Sequence, residues 1–230
     1  MGATGLPADN AGMPRAPSMP RQRAANSPPG RARGFTLIEL MTGLVVMFTF
    51  LLMALPSFSG LRQRAAIRGA GDEVLAFWNE ARFEAVKRNQ LVKVGVSPVA
   101  GGGFCLGAAT TTDEADATPC DCSSANPSSN ACDVARYPAD QKEWNRVSLA
   151  GISLGGSTSI AAPRPVVIEP KRTTLTEPGD KGALSLAGPP GGMAYKLNLR
   201  VDQLGRGLLC ESLNATSRLP DYSTRRCSDS

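Results

Sequence analysis

The chain has 230 residues, a formal charge of +5, no histidine, six cysteines, 18 prolines and 24 glycines. Without histidine there is no Ser-His-Asp triad, no Cys-His dyad and no His-ligated zinc site. No other catalytic constellation stands out, so the chain reads as a non-enzyme that needs no cofactor. The charge is unevenly placed: residues 1–34 carry five arginines against Asp9, while the rest holds 20 basic and 19 acidic residues. A nearly neutral remainder removes the case for nucleic-acid binding that a basic pI alone would make.

Residues 1–34 are rich in Pro and Gly, including Pro28-Pro29, and show no apolar period. This composition predicts a disordered basic leader. An apolar run then extends from Phe35 to Leu55 with Glu39 as its one charge. At 1.5 Å per residue a helix of that length spans about 31 Å, close to the roughly 30 Å hydrocarbon core of a bilayer. The reading predicts a transmembrane helix over 35–55 with its arginine-rich flank in the cytoplasm. A conventional signal peptide has a shorter apolar core. A plain anchor leaves Glu39 unexplained, since an unpaired carboxylate at bilayer depth costs about 2.5 kcal/mol or more and calls for a cationic partner.

Gly34-Phe35-Thr36-Leu37-Ile38-Glu39, placed between a basic leader and an apolar stretch, resembles the cleavage motif of type IV prepilins and type II secretion pseudopilins. The resemblance implies that a prepilin peptidase cuts between Gly34 and Phe35 and methylates the new amine of Phe35. It also implies that Glu39 neutralises the terminal amine of a neighbouring subunit, and that Pro56 kinks the helix. The implied setting is a bacterial inner membrane, crossed once, with a periplasmic head that later joins a pilus or pseudopilus. The implied partners are the peptidase, other minor and major pilins or pseudopilins, the inner-membrane assembly platform and membrane lipid.

Past Pro56 the pattern turns amphipathic. Ile67, Ala70, Val74, Phe77, Trp78, Ala81 and Ala85 fall on one face of a 3.6-residue period, predicting a helix over 56–89 that packs by that face and stops near Asn89. Gly60, Gly69 and Gly71 weaken it locally and mark expected bends. Strand signals follow at Leu91–Val96 and Tyr195–Val201, with shorter candidates at Trp144–Leu149, Pro165–Ile168 and Leu208–Glu211. The expected fold class is α+β: a long N-terminal helix, transmembrane then amphipathic, packed on a head of antiparallel sheets over 90–230. Glu80-Ala81-Arg82-Phe83-Glu84-Ala85 and Gly205-Arg206 resemble segments of the GspH/FimT branch of the pilin superfamily, which implies two sheets forming a compact sandwich beside the helix.

In a periplasmic head the six cysteines Cys105, Cys120, Cys122, Cys132, Cys210 and Cys227 are expected to form disulfides. Cys210 and Cys227 stand apart from the others, which predicts a bridge closing the tail between them. Cys120 and Cys122 are expected to take different partners. Four thiolates over 105–132 could instead hold a metal, but regular Cys-x₂-Cys pairs are lacking and no metal is expected. The acidic run Asp113, Glu114 and Asp116 reads as a solvated loop.

The leading expectation is a minor type IV pilin, a structural subunit that joins or primes a fibre. The alternative is the H-type pseudopilin of a type II secretion system. A third reading, a pilin that binds DNA, rests on the branch's Gly-Arg-x-Arg motif. Here the second arginine is replaced by Leu208, so polyanion contact would need Arg218, Arg225 and Arg226 to gather beside Arg206.

Overall fold

The computed structural model describes residues 34–99, 103–123, 130–138, 147–188 and 195–228, and within its helix it leaves out the side chains of residues 54–59. The leader before Gly34, the side chain of Pro56 at the expected kink and the first part of the Trp144–Leu149 strand candidate lie outside what the structure describes.

Two compact units divide the chain, Met1–Phe48 and Thr49–Ser230. The helix α1 runs Leu37–Arg88. It starts at a capping pattern, Thr36-x-x-Glu39: the Glu39 amide donates to the Thr36 hydroxyl at 3.3 Å, and the Leu40 amide donates to the Thr36 carbonyl at 3.2 Å. It ends where predicted, with Asn89 at a φ of 52°, a left-handed position that asparagine tolerates better than most side chains. In the first unit every described side chain is exposed, from Phe35 at 82% through Leu37 to Phe48 at 62%.

One expectation is corrected. Among the described residues no helix is long and apolar enough to cross a membrane. Glu39 lies in the first turn of the apolar stretch, and a carboxylate at bilayer depth costs about 2.5 kcal/mol or more. The transmembrane half of the expected fold class therefore falls, and the single-pass inner-membrane placement falls with it. What stands is a largely β-rich body with two sheets.

The first sheet has the order β3-β2-β1-β5, built from β1 (Leu91–Val99), β2 (Gly103–Thr111), β3 (Ala135–Tyr137) and β5 (Val166–Ile168). The second has the order β4-β6-β7-β8-β9, built from β4 (Ser148–Ile152), β6 (Gly182–Ala187), β7 (Lys196–Val201), β8 (Gly207–Ser212) and β9 (Arg226–Cys227). All pairings are antiparallel except β8 with β9, which run parallel.

One hydrophobic core draws on α1 and both sheets. All seven residues of the predicted helix face, Ile67 to Ala85, are buried, facing Val92, Val94 and Val96 of β1, Leu184 and Leu186 of β6, and Leu197 and Leu199 of β7 within one cluster. Fully burying the larger of these, Ile67, Val74 and Phe77, stabilises by about 1.5–3 kcal/mol each. Gly71, expected to mark a bend, has a packing reason instead: a Cβ there would overlap the Leu197 side chain.

Candidate functional site

Glu39 sits in the first turn of α1, where a carboxylate complements the helix dipole. Together with Phe35, Leu40, Gly43, Leu44 and Met47 it lines a shallow hollow of about 340 Å³. The Thr42 hydroxyl donates to the Glu39 backbone carbonyl at 3.0 Å, whereas the Glu39 carboxylate has no partner among the described residues. Thr36, which the sequence reading passed over, is the residue that fixes this turn, and the Thr-x-x-Glu spacing would have found it. A Cβ at Gly34 would meet nothing within 4 Å among the described residues.

The cysteines form three bridges: Cys105 with Cys122, Cys120 with Cys132, and Cys210 with Cys227. Cys120 and Cys122 do take different partners. The first two bridges lie over the outer face of the β1–β2 hairpin. A Cβ at Gly107 would overlap the sulfurs of Cys120 and Cys132, and one at Gly95, its cross-strand partner, would overlap Pro119. Two glycines thus hollow out the strand face on which the cysteine segment rests.

The same segment corrects the reading of the acidic run as a solvated loop. Asp116 is half-buried and accepts a hydrogen bond from Lys93 Nζ at 2.9 Å, with Lys93 itself buried on β1. The Lys93 ammonium, helped by the Thr118 amide and the Thr111 hydroxyl, holds the Asp116 carboxyl below the usual carboxylate range. Asp113 and Glu114 remain exposed.

The Gly205-Arg206 pair occupies the β7–β8 turn. Gly205 has a φ of 70°, and a Cβ there would run into the Thr173 carbonyl, two reasons for a residue without a side chain. Its own carbonyl accepts the Trp78 indole N–H at 2.8 Å, and Arg82 Nη2 donates to the Thr173 hydroxyl at 3.1 Å. The turn is a joint between helix and sheet. Arg206 closes it by donating from Nε to Asp202 at 2.8 Å and from its amide to the same carboxylate at 2.8 Å. Burial would raise the Asp202 carboxyl, but these hydrogen bonds outweigh it and hold Asp202 below the usual range.

The tail arginines do not gather beside Arg206. Arg218 and Arg226 lean instead on Glu211, which is fully buried; Arg218 Nη1 lies 3.7 Å and Arg226 Nε 3.6 Å from Glu211 Oε2. The Leu219 amide donates to Glu211 Oε1 at 2.6 Å. Arg226 pairs with Glu211 across β8–β9, whereas Arg206 adjoins Gly207 at the other end of β8. Five residues of strand separate the two, roughly 16 Å. The tail bridge forms, yet the arginine grouping expected from it is corrected: Arg225 and Arg226 sit at one end of the strand and Arg206 at the other.

No cluster of three or more potential metal-ligating side chains occurs among the described residues. The acidic cleft lined by Glu114, Asp116, Glu177 and Asp180 also contains Arg164. Within it burial raises the Asp180 carboxyl, the Arg164 charge pulls it back and Glu177 adds to the rise.

No protein-family model, curated protein or solved structure matches the chain.

Proposed function

We propose that the chain is a structural subunit of pilin type, joined to a fibre by its N-terminal helix, with a minor type IV pilin the first reading and an H-type pseudopilin the alternative. The observation that carries the proposal is the exposed apolar start of α1. Phe35, Leu37, Ile38, Leu40, Met41, Leu44, Val45, Met47 and Phe48 are all more than two-fifths exposed. Contiguous apolar surface on this scale marks a site of association, and in a fibre the matching helices of neighbouring subunits would cover it.

The Gly34-Phe35 motif and a Glu39 carboxylate with no partner among the described residues fit the same reading. After cleavage by a prepilin peptidase, the Phe35 amine of one subunit and the Glu39 carboxylate of the next would form a charge-assisted pair inside an apolar fibre core. The remaining partners are other pilins or pseudopilins and their assembly platform. Fibres sheared from cells and probed for the chain test the proposal. Wild type is expected in the fibre fraction, and Glu39→Ala is expected at the same cellular level but depleted from fibres by about tenfold, about 1.4 kcal/mol of lost pairing. Equal recovery of both proteins in fibres contradicts the pairing; absence of wild type from pili and from pseudopili contradicts the subunit reading.

A further inference from the structure

One arm of the body carries opposite charges at its two ends. Beyond β5 the chain turns and comes back alongside it: Ile168 bridges antiparallel to Leu175, and the Thr176 amide donates to the Val167 carbonyl at 3.0 Å. At the tip the Glu169 amide donates to the Thr174 carbonyl and the Thr173 amide to the Glu169 carbonyl, both at 2.9 Å. Lys171 and Arg172 stand on this turn, both exposed and neither in an ion pair among the described residues. The tip is fixed against the helix, because Arg82 Nη2 donates to the Thr173 hydroxyl and the Thr173 carbonyl packs on Gly205. Around that joint Phe83, Val86 and Leu204 are each about half exposed or more. An apolar centre with a polar rim is how protein interfaces are built.

The base of the same arm is acidic. Glu177 follows the returning chain, and the Thr176 hydroxyl donates to the Glu114 carbonyl at 3.3 Å, which brings the 113–116 loop beside it. Asp113, Glu114 and Glu177 are exposed, and none is in an ion pair among the described residues. Glu114 and Glu177 edge a cleft of about 180 Å³ together with Asp116, Asp180 and Arg164. Asp116 is held by Lys93, which leaves Arg164 as the cation facing Glu114, Glu177 and Asp180 in this cleft. The cleft keeps a net negative charge, and exposed Ala115 and Pro178 beside it give it an apolar edge.

We propose that the body joins a second copy of itself head to tail, with the Lys171-Arg172 tip of one copy entering the acidic cleft of the next. Each copy carries two groups of opposite sign, neither satisfied within the copy and both held apart by the arm that joins them. A contact made this way uses the tip of one copy and the cleft of the other, so it leaves one of each unused and repeats into a ring or an open chain. Attraction between such groups steers association and is screened by salt. The contact does not involve the start of α1, so it goes beyond the subunit reading and can fail while that reading stands.

The test mixes isotopically light and heavy full chains in mild detergent, which covers the start of α1, and couples touching amines and carboxylates with a carbodiimide. Mixed light–heavy products joining Lys171 to Glu114 or Glu177 are expected. Their yield should fall about tenfold or more between about 0.02 M and 1 M salt, where the Debye length shrinks to about 3 Å. Absence of mixed products, or a yield indifferent to salt, overturns the proposal. Two charge-reversed chains sharpen it: one with Lys171→Glu and Arg172→Glu, the other with Glu114→Lys and Glu177→Lys. Alone, each should associate about tenfold or more weakly than wild type in sedimentation. Mixed, they should regain association and couple position 171 of the first to position 114 or 177 of the second. Undiminished association of either variant alone overturns the contact, and so does a mixture that restores nothing. Rescue on mixing also separates a broken contact from a damaged fold, since misfolded chains would not restore one another.

Discussion

One helix carries two segments with opposite fates. From Leu37 to Phe48 the side chains are apolar on every side, and all of them are exposed. From Ile67 to Ala85 the apolar residues keep to one face, and all seven of that face are buried. Apolar content alone does not make a core. A stripe at a 3.6-residue period can be matched by a sheet while its polar back meets water, but a helix that is apolar all round needs cover on every side.

The contrast is broken most sharply by truncating one aromatic in each segment. Trp78 is 2% exposed and its indole N–H is bonded to Gly205, so Trp78→Ala is expected to cost about 3–5 kcal/mol in denaturant unfolding. Phe48 is 62% exposed, and Phe48→Ala is expected to change unfolding by less than about 0.5 kcal/mol while lowering recovery in fibres. A large stability loss from Phe48→Ala would mean that its segment is covered within the folded subunit.

The tail bridge gives the next largest effect. Cys210 and Cys227 are 17 residues apart in sequence, and closing a loop of this size contributes about 3 kcal/mol in the chain-entropy model. Replacing both by Ser should lower the melting temperature by roughly 6–12 °C for a domain of this size. Glu211 is buried under this tail, so a smaller drop would show that its contacts hold the tail without the bridge.

The smallest effect is the acid response of the cysteine segment. The folded Asp116 carboxyl titrates below its unfolded value because of Lys93. Its contribution is therefore fully present above the unfolded value, about pH 4, and is lost as pH falls through the lower folded value. Asp116→Asn should reduce stability at pH 7, where Lys93 is left buried without its anion, and should flatten the acid limb below about pH 4 in urea titrations at several pH values. An unchanged acid limb would count against the ion pair.

The sequence was most legible where burial follows a simple period. The α1 face, the helix stop at Asn89, β1, β5, β7 and β8 all lie where alternation or helical spacing placed them, within a few residues. β2 and β6 were missed, and their composition shows why. Gly103–Thr111 is interrupted at its centre by Gly107-Ala108-Ala109, and Gly182–Ala187 is built largely of Gly, Ala and Ser; Gly and Ala are depleted in strands. They are small because other parts of the chain press on them: the disulfides at Gly107 and the Ser153 carbonyl at Gly182. Such contacts join residues distant in sequence and leave no local period. The cysteines were legible as disulfide formers, and the isolated Cys210 and Cys227 as a pair. The arginine cluster was misplaced because only strand register shows that Arg206 and Arg226 occupy opposite ends of β8.

The central claim is that the exposed apolar segment is an assembly element released by a cut after Gly34. The most direct test is the N-terminal sequence and mass of the chain recovered from cells that make the pilus or the secretion machinery. The account predicts a chain beginning with N-methylated Phe35. A chain that keeps the leader in such cells, or one that begins beyond the apolar run, would contradict it.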